Sequence, residues 1–235
     1  MKKVELLNEG KAKRVYTTEE PGLAIIEYKD SATAFDGSKK GTITGKGEMN
    51  CSISTVFFEY LESYHVPTHF VKRLSPTEQL VKLVDLIKVE VVMRNIATGS
   101  LVKRLPFEDG KVLDYPIFEL YLKDDDLGDP LINEYHAYAL ELARPEDIRT
   151  MFRNTAKINA LLKSFLDRRG MILVDFKLEY GLLGHELLLV DEISPDTCRI
   201  WDKKTHKKLD KDRFRFDMGG VEKAYNEVLE RISNT

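Results

Sequence analysis

Hydrophobic spacing in the first third of the chain predicts short strands. In "KVELLNEGKAKRVYTTEEPGLAIIEYKD", β-branched and aromatic runs are broken at Asn8-Glu9-Gly10 and at Glu20-Pro21-Gly22. Both breaks are hairpin-type turn signals. The Gly-rich stretch "SATAFDGSKKGTITGKG" then predicts a long loop. Over residues 48–64, Ile53, Val56, Phe57, Tyr60, Leu61 and Tyr64 recur at helical spacing, and Pro67 ends the pattern. Strands are predicted in "THFVKRL" and in "EQLVKLVDLIKVEVVMRNI", most strongly over residues 82–84 and 89–93. "DGKVL" and "PIFELYLK" predict strands around the Asp109-Gly110 turn. A second long helix is predicted over residues 146–169. Its apolar stripe is Ile148, Met151, Phe152, Ile158, Leu161, Leu162, Phe165 and Leu166, and Gly170 sits where a glycine cap belongs. "VEKAYNEVLERI" predicts a last helix. The order, β-rich first and mixed afterwards, predicts an α+β protein of two lobes. Residues 1–88 would form a β-rich N-terminal lobe and residues 89–235 a larger mixed α/β lobe, with a cleft between them.

One predicted strand breaks the apolar pattern. "ILVDFKLEYG" carries Asp175, Lys177 and Glu179. Side chains alternate along a strand, so these three share one face, while Val174, Phe176, Leu178 and Tyr180 share the other and face the core. "GLLGHE" predicts a turn, and "LLLVDEI" a return strand ending at Asp191 and Glu192. If the turn centres near Leu183, Asp191 lies opposite Asp175 and clusters with Glu179. Such carboxylates repel unless a cation lies between them, and Mg²⁺ suits carboxylate and phosphate oxygens. The alternative is a solvated edge hairpin with a charged outer face.

Composition narrows the picture. The 235 residues are 43% hydrophobic and 32% charged with net charge −3, as expected of a globular protein with no nucleic-acid partner. Cys51 and Cys198 cannot build a disulfide framework and predict free thiols in a reducing cytoplasm. There is no signal-like N-terminus and no apolar run of membrane-spanning length, so no membrane association is expected.

Several basic groups suggest phosphate chemistry. Lys11 and Lys13, two apart after a glycine, would point the same way on a strand; taken alone they read first as a solvated basic strand, and otherwise as a pair with an anion between them. Arg94, followed by a turn with Gly99 and Ser100, offers a guanidinium, a hydroxyl and backbone N–H groups to a phosphate. Asp196 and Arg199 follow the carboxylate hairpin. "GTITGKG" fails the Walker pattern in both its glycine spacing and the residue after the lysine. His65 and His69 are separated by Pro67 and make a weak zinc signal, and the other histidines stand alone.

Together, "GKAKRVY", "VVMRNIATGSLVKRL", "LVDFKLEYG", "VDEISPDTCRIWD" and "DKDRFR" resemble, in order and spacing, the phosphoribosylaminoimidazole-succinocarboxamide synthases (SAICAR synthetases) of purine biosynthesis, over nearly the whole chain. The resemblance implies an ATP lobe distantly like the kinase small lobe. It also implies a reaction in which ATP phosphorylates the carboxylate of carboxyaminoimidazole ribonucleotide and the amine of L-aspartate displaces the phosphate. By the same resemblance, Lys11, Lys13 and Lys82 face ATP, and Glu179 and Asp191 hold its Mg²⁺. Asp175 sits near the imidazole, with a metal ion of its own, and Lys177 neutralises the substrate carboxylate or the transferring phosphoryl group. Arg94, Ser100 and Arg199 take the 5′-phosphate, Asp196 the ribose, and Lys211 and Arg215 an anionic substrate or loop closure. Residues 34–47 would be a lid, and a homo-oligomer, first of all a dimer, is expected. Two rivals are weighed against this. A kinase-like phosphotransferase on another acceptor would suit "DFK", but the HRD and VAIK motifs are missing. A non-catalytic nucleotide-binding module would not explain three carboxylates on one sheet face.

Overall fold

The computed structural model describes residues 1–34 and 37–234. The chain is α+β. Strands β1 (Lys3–Glu9), β2 (Lys13–Thr18) and β3 (Leu23–Tyr28) form a meander, followed by a small hairpin, β4 (Ser31–Ala34) and β5 (Lys39–Thr42). Helix α1 (Lys46–Ser63) leads to β6 (Phe70–Ser75) and β7 (Glu78–Lys82), which complete a five-stranded antiparallel sheet in the order β1-β2-β3-β7-β6. A six-stranded sheet then begins with β8 (Asp85–Ile96). Helix α2 (Ser100–Arg104), β9 (Val112–Leu122), β10 (Leu131–Ile132), α3 (Glu134–Ala139) and α4 (Pro145–Asp167) precede its central strand, β11 (Met171–Leu183). Strands β12 (Glu186–Val190) and β13 (Cys198–Asp202) both pair with the edge of β11 opposite β8. Helices α5 (Asp212–Arg215) and α6 (Val221–Ser233) end the chain.

The main core lies where α1, α4 and α6 cover one face of the second sheet. Phe57, Phe58 and Leu61 of α1 meet Ile158, Leu162 and Phe165 of α4, Tyr225 and Val228 of α6, and Phe176, Leu178 and Tyr180 of β11. Burying each such side chain is worth about 1.5–3 kcal/mol, against tenths for differences in helix propensity, so packing decides these helices. Helix α4 starts at Pro145, with Asp147 accepting the backbone N–H of Arg144 at 3.2 Å. After α4, Gly170 turns the chain at φ 68°. Phe152 is the exception in the predicted stripe: it is half-exposed, against the ring of Phe118.

The structure corrects five sequence expectations. Part of the Gly-rich stretch is the β4–β5 hairpin rather than loop, while its residues 35 and 36 lie outside the described residues. "DGKVL" and "PIFELYLK" are one strand, β9, and β7 stops at Lys82, before the predicted end of its run. Val174 does not share the face of Phe176. It packs with Ile96, Trp201 and Ile172, because the β11–β13 ladder shifts register between Leu173 and Asp175. A bulge of this kind re-aims the following side chain. Finally, the β11–β12 turn is Gly184-His185, with Gly184 at φ 62° as a two-residue hairpin turn requires. Glu179 therefore pairs with Val190, and Asp175 lies opposite Arg94 and Arg199 rather than Asp191.

Candidate active site

A cleft of about 910 Å³ opens along the charged face of β11. Its walls come from the β1–β2 turn, β3, the end of β7, β8, and the segments after β12 and around β13. Alternation places Asp175, Lys177 and Glu179 on the cleft face. The antiparallel register sets Glu90 of β8 directly against Glu179, and Arg94 against Asp175.

At one end the charges interleave tightly. Lys177 Nζ donates to Glu90 Oε1 at 2.6 Å and to Glu179 Oε1 at 2.8 Å, and Lys123 Nζ donates to Glu179 Oε1 at 2.7 Å. Burial pulls the Lys177 pKa down, but the charges of Glu179, Asp191 and Glu90 outweigh it and hold the ammonium above its usual range. Asp191 follows β12 at φ 66° and accepts from Lys13, which also pairs with Glu192 at 3.0 Å. Burial opposes the Asp191 charge, yet Lys13, Lys177 and Lys123 hold its carboxyl well below the usual carboxylate range. Lys11 lies in the turn before β2 and pairs with Asp125 at 2.8 Å, so the two lysines expected to point together diverge. Both still line the cleft, as does Lys82 at the end of β7.

The other end is guanidinium-rich. Asp175 Oδ2 accepts from Arg94 Nη1 at 3.0 Å and from Arg199 Nη1 at 2.8 Å. Arg94 Nη2 donates to Ser100 Oγ at 3.0 Å. Gly99 has φ 61° and ψ −127°, and a Cβ there would lie 2.7 Å from Arg199 Nη2, so only glycine lets this turn approach the guanidinium. Asp196 is buried. It accepts from Lys46 Nζ at 2.8 Å and from Tyr225 Oη at 2.6 Å, with Lys211 Nζ at 3.6 Å. Burial opposes its charge, but Lys211 and Lys46 hold the carboxyl well below its usual range. Lys211 and Arg215 line the cleft beside it.

The carboxylates do not gather as expected. Asp175 is engaged by two guanidiniums, and no group of three or more His, Cys, Asp or Glu side chains among the described residues could hold a metal ion. Mg²⁺ does not need such a cage, because one or two carboxylates with nucleotide phosphates suffice. Glu179 and Asp191 are hard oxygen donors on the cleft's lysine-rich side and could serve in that role, while Asp175 lies at the other end between two guanidiniums. Sequence reasoning missed Glu90, Lys123 and Glu192. Glu90 had a signal, since it shares the period-two face of Arg94 on β8. Lys123, beyond the end of β9, had none.

His69, dismissed as half of a weak zinc pair, is buried in the cleft wall against the Phe58 ring, and its Nε2 has no hydrogen-bond partner. Burial pushes its pKa down to about 3, with Lys13 and Lys82 adding to the effect and Asp191 opposing it. The unfolded chain takes up this proton below about pH 6.5 and the folded chain does not, so stability is lost as pH falls through that window. Asp210 has the opposite slope, because burial and Asp212 push it up to about 7. The comparison is therefore with a variant. Between pH 6.5 and 4.5, His69→Gln should gain on the parent chain by up to about 1.4 kcal/mol per pH unit in urea melts. A pH-independent difference would contradict the assignment.

Known proteins resemble this chain over nearly its whole length. The family model described as SAICAR synthetase matches residues 6–232. A phosphoribosylaminoimidazole-succinocarboxamide synthase of Coprothermobacter proteolyticus is 56% identical, covering 99% of each chain. The crystal structure of the synthase from Ehrlichia chaffeensis superposes with a TM-score of 0.96 at 40% identity, covering 98% of this chain and 99% of the other. A SAICAR synthetase in complex with ADP superposes at 0.94 with 46% identity, covering 97% of each. With the family model spanning nearly the full length and a relative more than half identical, the chain belongs to the SAICAR synthetase family.

Proposed function

We propose that the β11 cleft performs the family's reaction with its two ends divided between the substrates: ATP at the lysine-rich end and the ribonucleotide at the guanidinium-rich end. The enzyme is an ADP-forming ligase of purine biosynthesis that joins L-aspartate to the carboxylate of carboxyaminoimidazole ribonucleotide. The observation that carries the division is the row along β11. Asp175 is tied to guanidiniums, and Lys177 and Glu179, two and four residues on, sit among lysines and carboxylates.

A carboxylate is a poor acyl donor because oxide leaves badly. One of its oxygens attacks the γ-phosphorus of ATP and ADP departs, leaving an acyl phosphate. The aspartate amine then attacks the carbonyl, phosphate leaves, and the amine proton is lost. Lys13, Lys11 and Lys82 would face the nucleotide phosphates, and Lys177 would neutralise charge between substrate carboxylate and transferring phosphoryl group. Glu179 and Asp191 would hold Mg²⁺, whose charge would offset that of the nucleotide phosphates. Arg94, Arg199 and Ser100 would take the 5′-phosphate. Asp175 would aim the two guanidiniums rather than bind metal. Asp196 would orient Lys211 and line the ribose side, and Lys211 with Arg215 would meet an anionic substrate group. The first sheet, within residues 1–82, would roof the nucleotide, and the second, from Asp85 onward, would carry the substrates, which moves the expected boundary at residues 88–89 to the β7–β8 junction. The change of sheet between Lys82 and Asp85 supports that division. The β4–β5 hairpin would act as a lid. No helix among the described residues is long and apolar enough to cross a membrane, and Cys51 and Cys198 are buried free thiols, which suits a cytoplasmic enzyme.

The test of the division is Arg199→Ala. Losing one charge-assisted phosphate contact should raise the KM for the ribonucleotide about 10- to 100-fold and leave the KM for ATP near its parent value. A change confined to ATP would place the phosphate elsewhere.

A further inference from the structure

We propose that Glu119 and Asp212, neither of which lines the cleft, are positioning residues for ribonucleotide recognition, because each holds a phosphate-reading guanidinium from behind. The proposal rests on the assignment of Arg94 and Arg199 to the substrate phosphate. Arg94 Nε donates to Glu119 Oε2 at 2.7 Å. Arg199 Nε donates to Asp212 Oδ2 at 2.9 Å. Both carboxylates are buried, Glu119 at 8% exposure and Asp212 at 2%, so water does not compete for them.

The contacts join into one ladder across the sheet. Arg104 Nη2 donates to Glu119 Oε1 at 2.6 Å, and Arg215 Nη1 donates to Asp212 Oδ1 at 2.7 Å. With Asp175 between Arg94 and Arg199, the order is Arg104, Glu119, Arg94, Asp175, Arg199, Asp212, Arg215. Four guanidiniums face three carboxylates, so the ladder is cationic where an anion is to bind. Lys208, 3.6 Å from Asp212, adds to this.

The physical role follows from arginine's flexibility. A free arginine side chain samples many rotamers, and a ligand must overcome that freedom on binding. Anchoring Nε fixes the guanidinium plane before the ligand arrives, and that preorganisation appears as affinity. The shared Asp175 oxygen couples the two halves, since a guanidinium that loses its outer anchor is drawn toward the carboxylate its neighbour uses.

The test compares Glu119→Gln and Asp212→Asn with the parent enzyme, using ribose 5-phosphate as a competitive probe of the phosphate subsite. Each variant should raise the ribonucleotide KM and the ribose 5-phosphate inhibition constant together, by about 10-fold, with the KM for ATP within about two-fold. Glu119→Asp keeps the charge one methylene back and should give an intermediate shift. It also serves if the neutral variant does not fold. An unchanged inhibition constant, or equal rises in both KM values, would overturn the proposal. Arg199→Ala separates the two layers. If it raises the ribonucleotide KM while the Glu119 and Asp212 variants do not, only this inference fails. If it leaves ribonucleotide binding intact, the phosphate assignment beneath it fails.

Discussion

Asp191→Asn should keep its fold and lose ADP formation by about 10³-fold or more. Asp191 sits at φ 66°, a left-handed conformation that Asn adopts as readily as Asp, so the backbone has no reason to move. The side chain keeps its size and loses only its charge. That charge pairs with Lys13 and lies in the field of Lys177 and Lys123. Phosphoryl transfer depends on positioning and charge rather than on covalent chemistry by the protein, so a neutral group there removes the main contribution of that side of the cleft. Stopped-time ADP assays with circular dichroism on the same samples read both halves of the prediction. Turnover within a few-fold of the parent value would contradict the proposed role of Asp191 in holding Mg²⁺.

Lys46→Met should destabilise the protein by about 3–5 kcal/mol. Lys46 is 1% exposed, and its ammonium donates to Asp196, itself buried. Removing one partner leaves a largely desolvated charge, and the penalty is that uncompensated charge rather than the value of the pair. Lys211 at 3.6 Å and the Tyr225 hydroxyl offset part of it, which favours the lower end of the range. For a chain of this length a loss at that lower end, about 3 kcal/mol, is a melting-temperature drop of roughly 6–12 °C. Adding Asp196→Leu should restore most of it while damaging activity, because the anion then goes too. A single variant with parent-like melting would mean that Lys211 alone satisfies the carboxylate.

The sequence made some of this legible and hid the rest for identifiable reasons. The cleft face of β11 was readable because strand alternation has period two whatever the partner strand. By the same rule Glu90 and Arg94 were readable on β8. Helices α1, α4 and α6 were readable from apolar stripes whose burial outweighs propensity. The cross-hairpin register was not, since it depends on whether the turn centres on Leu183 or on Gly184-His185, and that choice moves Asp191 past Asp175. The bulge that turns Val174 away from the main core was hidden for a similar reason: β13, which imposes it, arrives more than twenty residues later. The Lys46–Asp196 pair joins residues 150 apart and has no local signature. Arg94 and Ser100 were legible as neighbours, but not that buried acids stand behind the guanidinium. Glu119 looked like an ordinary charge on a strand until the fold set it beside Arg94 and Arg104.

The central claim is that the substrate carboxylate is phosphorylated in this cleft before aspartate attacks it. Turnover of carboxyaminoimidazole ribonucleotide bearing ¹⁸O in its carboxylate tests it most directly, with the released phosphate read by mass spectrometry. An acyl phosphate leaves with the oxygen that attacked phosphorus, so each inorganic phosphate should carry one ¹⁸O when both carboxylate oxygens are labelled. Unlabelled phosphate, formed at the same rate as product, would contradict the account.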